Sequence, residues 1–141
     1  MGTSARIVVL PESTSTLRIE EISLPDPNPY QVVVKEFASG VCHSQLHQMH
    51  RERRSPVILG HEATGVVVKA GAEVSHVAEG DIVLLTWVPR NIEAAGRVPE
   101  RAILDVSDGV AQSENVFTWA DHTICDEQYV VKVDPNIKKD V

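Results

Sequence analysis

Two short segments of the chain carry most of the side chains that could bind a metal or move a proton. The first spans residues 40–47 and includes Cys42, and the second spans residues 59–65 and includes His61 and Glu62. Thiolate and imidazole groups are favoured zinc ligands, and the intervening chain is long enough to bring Cys42 and His61 to one ion. The same pair could be a buried free thiol and a hydrogen-bonded imidazole, so the pair alone leaves both interpretations open.

Ser44 and His47 lie three residues apart on a predicted helix, so both side chains would lean over one face. A serine hydroxyl can pass a proton on, and an imidazole with an ordinary pKa of about 6.5 can accept one. Simpler interpretations stand beside this one. Ser44 could cap the helix, and His43, His47 and His50 could form a solvated stripe, which we rank above a metal site. Glu62 could be an ion-pair partner at the end of a strand.

The elements that must position these groups are mostly strands. Period-two alternation and β-branched runs predict strands over 5–10, 17–22, 31–38, 63–69 and 81–87. Apolar spacing predicts one short helix over 42–50. Two further segments near the C-terminus are predicted to form a strand pair, 122–125 and 129–133, joined near 126–127. Residues 89–114 show little periodicity, which predicts a loop with a short strand at 101–106.

Many short strands with one short helix predict a mainly β barrel or sandwich, and we assign residues 1–141 to one domain. No Gly-x-Gly-x-x-Gly follows a strand, and strands do not alternate with long helices. The sequence therefore predicts no Rossmann-type dinucleotide-binding domain in this chain.

Composition narrows the class of protein. The chain has 141 residues, 43% of them hydrophobic, and a net charge of −7, which is ordinary for a globular protein and unusual for a nucleic-acid binder. Apolar runs are too short for a transmembrane helix, and the N-terminus has no signal-like apolar stretch. Two widely separated cysteines in such a chain predict a reducing, cytoplasmic location. The one basic cluster, at 51–54, is interpreted as a surface loop.

Three motifs together point to a family. They are Gly-Val-Cys-His-Ser-x-x-His from residue 40, Val-Ile-Leu-Gly-His-Glu-x-x-Gly-Val-Val from residue 57, and Gly-Asp-x-Val from residue 80. In these motifs the chain closely resembles the zinc-dependent medium-chain alcohol dehydrogenases over nearly its whole length. It is similar to their N-terminal catalytic domain, which has a GroES-like β-barrel fold with one or two short helices.

The resemblance implies a role for each motif residue. Cys42 and His61 would be two of three protein ligands of a catalytic zinc, with Glu62 beside the metal and able to exchange onto it. Ser44 would hydrogen-bond the substrate oxygen, and His47 would take the proton at the end of a relay. The reaction would convert a small alcohol to an aldehyde or ketone, or the reverse.

The cofactor implied by the resemblance is NAD or NADP, bound by a domain absent from this chain. His43 would lie near its pyrophosphate. The intact enzyme would be a homo-oligomer with neither a membrane nor a nucleic acid as partner.

The chain departs from the family pattern in three respects. Residues 90–114 contain no cysteine, where many relatives hold a structural zinc, so we expect no structural zinc and a lobe held by ordinary packing or left mobile. Gln45 replaces a common aspartate, and its amide oxygen could still accept a hydrogen bond from the zinc-bound imidazole. Val141 comes a few residues before the expected third cysteine ligand. We therefore expect part of a longer enzyme, inactive by itself.

Two rival functions use the same fold. One is a free-standing GroES-like module that binds zinc weakly or not at all and carries no dehydrogenase activity. The other is a co-chaperonin, which would assemble into a ring and would have no use for Cys-His-Ser and Gly-His-Glu.

Overall fold

A computed structural model of the chain describes residues 2–91 and 96–139. Within these ranges it has one α-helix, one short 3₁₀ helix and ten strands, which confirms the mainly β class. The elements in chain order are β1 Thr3–Leu10, β2 Arg18–Leu24, β3 Gln31–Ser39, α1 His43–His50, β4 Val57–Ile58, β5 Glu62–Ala70, β6 Ile82–Thr86, β7 Ile103–Val106, β8 Gly109–Gln112, β9 His122–Asp126, the 3₁₀ helix Glu127–Tyr129, and β10 Val130–Lys132.

The strands form two five-stranded sheets, in the orders β2-β1-β4-β8-β7 and β10-β6-β5-β3-β9. The short segment 119–121 joins them. The backbone amide of Val8 in the first sheet donates to the carbonyl of Trp119 over 2.8 Å. The amide of Glu36 in the second sheet donates to the carbonyl of Asp121 over 2.9 Å. One segment is therefore hydrogen-bonded to β1 of the first sheet and to β3 of the second.

The first half of β3 is buried on both faces, which explains its unbroken valine run. Val33 packs with Ile7 and Phe117 between the two sheets. Val32 and Val34 point to the opposite face and pack in a second cluster. A continuous apolar run, rather than alternation, is typical of a strand covered on both sides.

The predicted strand pair near the C-terminus is wrong in its pairing. Both strands exist, but β9 pairs with β3 and β10 pairs with β6, at opposite edges of one sheet. The 3₁₀ helix between them, capped by the Asp126 side chain accepting from the amide of Gln128, redirects the chain instead of closing a hairpin.

Residues 89–114 contain more order than the predicted loop. The strand expected at 101–106 is β7, and it forms a hairpin with β8, which the sequence reading missed. Gly109, with φ 136°, directly follows the two-residue turn, and a glycine at this place is a sequence signal that could have indicated the hairpin. The two-residue strand β4 was also missed, and residues 92–95 of this stretch lie outside the described ranges. No helix in those ranges is long and apolar enough to cross a membrane.

Candidate functional site

Cys42, His61 and Glu62 converge although two separate elements carry them. Cys42 is the N-cap residue of α1, and His61 and Glu62 stand at the start of β5. One ligand atom from each lies within 4.8 Å of the others. Within the described ranges this is the one group of at least three such side chains close enough to hold a metal ion. A thiolate, an imidazole and a carboxylate form a donor set that suits zinc.

The backbone around His61 is fixed by a distant segment. The amides of Thr118 and Trp119 both donate to the carbonyl of Leu59 over 3.0 Å. The next residue, Gly60, has φ +94°, and a Cβ there would lie 2.4 Å from Thr118 Oγ1. A glycine is therefore required immediately before His61. The sequence offers no signal for the partner role of Thr118 and Trp119.

Glu62 is positioned over Gly40, at the entry to the cysteine segment. The amide of Gly40 donates to the carbonyl of Glu62 over 2.9 Å, and a Cβ on Gly40 would lie 2.6 Å from Glu62 Oε1. Trp119 Nε1 donates to the carbonyl of Gly40 over 3.1 Å. Across the described residues Glu62 forms no ion pair, so the strand-end ion-pair interpretation finds no support.

Gln45 links the two segments from inside the protein. Its Oε1 accepts a hydrogen bond from the Cys42 amide over 2.7 Å, and its Nε2 lies 2.8 Å from Nδ1 of His61. The side chain is only 1% exposed. The prediction that the amide oxygen would accept from the imidazole is wrong, because the fixed backbone donor of Cys42 occupies that oxygen.

Groups at the start of α1 lower the pKa of the Cys42 thiol. The Ser44 hydroxyl, followed by the backbone amides of Ser44 and His43, holds the pKa of Cys42 below its ordinary value. Desolvation and the charge of Glu62 oppose this effect without cancelling it. A thiolate is the form that binds metal, so these amides favour the ligating state.

A cleft of about 380 Å³ opens beside Cys42 and His61, and Ser44, His47 and Trp87 also line it. The Ser44 Oγ is buried, and the hydroxyl interacts with the Cys42 thiol as the first of the causes that lower its pKa. Ser44 is the second residue of α1, not its cap, so the capping interpretation is wrong.

The two remaining histidines of the predicted site lie on the outer side of α1. His47 is exposed at the cleft and meets the ring of His43 edge-on, with centroids 5.1 Å apart. His43 is exposed as well and does not line the cleft. The structure thus brings Ser44 and His47 to the cleft and leaves His43 one helical turn away.

Three further side chains with polar or ionisable groups have structural roles. His76 bridges Glu127 Oε2, at 3.2 Å, and the carbonyl of Val130, at 3.1 Å. Cys125 is a buried core residue, and burial raises the pKa of its thiol. Arg53, in the basic cluster, donates to the carbonyl of Met49 over 3.1 Å and so holds the loop after the helix.

Comparison with known proteins identifies the domain. A family model described as the alcohol dehydrogenase GroES-like domain matches residues 28–135. The chain belongs to this family. The membership confirms the GroES-like fold and the resemblance to the N-terminal domain of zinc-type medium-chain alcohol dehydrogenases.

Two curated relatives show how much of such an enzyme the chain represents. An alcohol dehydrogenase of Moraxella sp. (strain TAE123) is 40% identical over 87 residues, covering 59% of this chain and 26% of that protein. A sorbitol dehydrogenase of Gallus gallus is 34% identical over 99 residues, covering 65% of this chain and 28% of that protein. The matched part therefore spans about a quarter of these relatives.

Solved structures share the fold at low identity. An alcohol dehydrogenase zinc-binding domain protein from Burkholderia ambifaria superposes with a TM-score of 0.80 at 21% identity, covering 96% of this chain and 43% of that one. Benzyl alcohol dehydrogenase from Acinetobacter calcoaceticus gives a TM-score of 0.78 at 19% identity, covering 97% and 43%. The likeness extends over nearly all of this chain and less than half of each neighbour.

Proposed function

We propose that this domain holds the catalytic zinc and binds the alcohol in an NAD(P)-linked alcohol dehydrogenase. The observation that carries the proposal is the convergence of ligand atoms of Cys42, His61 and Glu62 within 4.8 Å, beside a cleft that Cys42, His61 and Ser44 line. Family membership and the dehydrogenase relatives support it. The reaction would oxidise a small alcohol to an aldehyde or ketone, or run in reverse.

Cys42, His61 and Glu62 would hold the metal through sulfur, nitrogen and oxygen. Zinc, when bound, supplies Lewis-acid chemistry that polarises a substrate hydroxyl or carbonyl oxygen. The lowered pKa of Cys42 favours the thiolate, which is the form of the side chain that binds metal. The hydrogen bond from the Gly40 amide to the Glu62 backbone keeps the carboxylate close to the other two ligands.

Ser44 and His47 would move the substrate proton. Ser44 lines the cleft, and a serine hydroxyl can bond a substrate oxygen and accept its proton while passing on its own. His47 is exposed at the cleft and can exchange a proton with solvent. His43 stands outside the cleft at the start of α1, a position that suits a contact with the phosphates of NAD or NADP.

The walls of the cleft favour an alcohol with an apolar carbon group. Ile58, Leu59, Val116 and Trp87 line it, and Trp87 is 55% exposed there. Burial of apolar substrate surface against these side chains would contribute to binding. The nicotinamide cofactor, the homo-oligomeric state and the cytoplasmic location stay predictions.

Zinc content tests the proposal directly. We expect about one zinc per chain in the purified protein by plasma mass spectrometry, and its loss in Cys42→Ser. Cys125→Ala is the matched control, because Cys125 is buried away from the cleft, and it should retain zinc. Circular dichroism would show that both variants stay folded. Unchanged zinc in Cys42→Ser would contradict the proposed site and would favour the free-standing module.

A further inference from the structure

The orientation of the Gln45 carboxamide is determined by its neighbours. The Cys42 backbone amide can only donate, so the atom 2.7 Å from it is the carboxamide oxygen. The carboxamide nitrogen is therefore the atom 2.8 Å from His61 Nδ1. A carboxamide nitrogen can only donate as well, so Nδ1 must accept. In a neutral imidazole the proton then resides on Nε2.

This tautomer is unfavourable for a metal ligand. His61 needs a free lone pair on the nitrogen that faces the ion, and Nδ1 is occupied by Gln45. Nε2 is the other ring nitrogen, and it carries the proton. We infer that Gln45 holds His61 in the tautomer that cannot bind zinc, so that zinc binding requires the Gln45 carboxamide to turn over or withdraw. This inference rests on the proposed zinc site and concerns how readily that site loads.

Turning the Gln45 carboxamide over would let its oxygen accept from His61 but would create an unfavourable contact with the Cys42 amide. The nitrogen would then face the Cys42 amide, and two donors would oppose each other. Gln45 is 1% exposed, so solvent has little access to relieve them. A carboxylate in the same place would accept from both the Cys42 amide and an Nδ1–H of His61, leaving Nε2 free. Groups that orient a ligating histidine change metal affinity by about 10–100-fold.

Gln45→Glu isolates this effect, because it replaces one NH₂ with oxygen at the same chain length. We expect its zinc affinity, measured by competition with a chromophoric chelator, to exceed that of the natural protein by about 10–100-fold. Gln48→Glu is the matched control. Gln48 lies on the same helix and lines the cleft, and its substitution adds the same charge without the bridge between Cys42 and His61.

The inference is overturned if Gln45→Glu binds zinc no more tightly than the natural protein. An equal gain in Gln48→Glu would also overturn it, because added charge alone would then explain the change. A gain confined to Gln45→Glu supports it.

A second readout needs no metal. Long-range ¹H–¹⁵N spectra of the zinc-free protein report which nitrogen of each histidine carries the proton, and His61→Asn assigns the signals of His61. We expect the Nε2–H form of His61 in the natural protein and the Nδ1–H form in Gln45→Glu. The Nδ1–H form in the natural protein would overturn the inference. Failure of every variant to bind zinc would overturn the proposed function, and these spectra would still decide the role of Gln45.

Discussion

Arg97 contacts the carboxylate of Asp126, a residue with no exposed surface. Its Nη2 lies 3.0 Å from Asp126 Oδ1, and its guanidinium lies 4.2 Å over the ring of Tyr30. The amide of Glu100 donates to the same carboxylate over 3.1 Å. The segment around Arg97 is thus fastened to the barrel by an ion pair and hydrogen bonds, a more specific attachment than the ordinary packing expected for this lobe.

Arg97→Ala should lower the free energy of unfolding by about 3 kcal/mol, because it leaves the Asp126 carboxylate buried without its counter-charge. Urea denaturation measures the change. Arg51→Ala is a suitable control, since Arg51 and Glu114 form an ion pair in which both side chains are more than 60% exposed. It should cost less than about 1 kcal/mol. Equal losses in the two variants would contradict a structural role for Arg97.

Glu36, on β3, carries a carboxyl whose two oxygens are buried without a partner in the described part of the chain. Desolvation, reinforced by the charge of Asp121, raises the pKa of Glu36 to about 10 from an ordinary 4.5. The folded state therefore keeps a proton that the unfolded chain releases above its ordinary pKa. This difference lowers stability as the pH rises from about 4.5 towards 10.

Glu36→Val should increase stability at neutral pH and reduce its dependence on pH. The linkage corresponds to about 3 kcal/mol at pH 7, growing at higher pH and vanishing below the ordinary pKa. Denaturation curves between pH 4 and pH 9 would measure it. Glu36→Gln should also reduce the slope, with a smaller gain because the amide stays unpaired. Parallel pH profiles for the natural protein and both variants would exclude this account of Glu36.

Gly60 and Gly80 offer a matched pair of substitutions. Both have positive φ, +94° and +90°, but an added Cβ meets Thr118 and Trp119 only at Gly60 and meets nothing within 4 Å at Gly80. Gly80→Ala should cost about 1 kcal/mol from backbone strain alone. Gly60→Ala should cost more and weaken zinc binding, because it displaces His61. Comparable stability and zinc content in the two variants would show that the contact with Thr118 does not position the site.

The residues at the candidate site could be predicted because each motif is local. Cys42, Ser44 and His47 lie within six residues, and His61 and Glu62 are adjacent, so residue type and spacing define each half of the site. The ligand atoms of Cys42, His61 and Glu62 lie within 4.8 Å of one another, and the roles assigned to the site residues stay predictions. The alternating strand β2 and the β-branched runs of β1 and β3 were found for the same reason.

Interactions between residues far apart in the chain could not be predicted, because no local sequence motif marks them. Thr118 orders the backbone before His61 from 57 positions away, and nothing in its local sequence marks it. The pairing of β9 with β3 and of β10 with β6 was missed because neighbouring strands are not always partners.

The sequence by itself determined the residue types of the site and the mainly β class, because both follow from side-chain chemistry and short-range periodicity. Only the tertiary structure decided which end of Gln45 meets His61 and where the Arg97 charge is neutralised. It also decided that the two carboxyl oxygens of Glu36 are buried with no hydrogen-bond partner among the residues that the structure describes. Hydrogen-bond direction and desolvation depend on which atoms meet in space, and chain order does not specify those meetings.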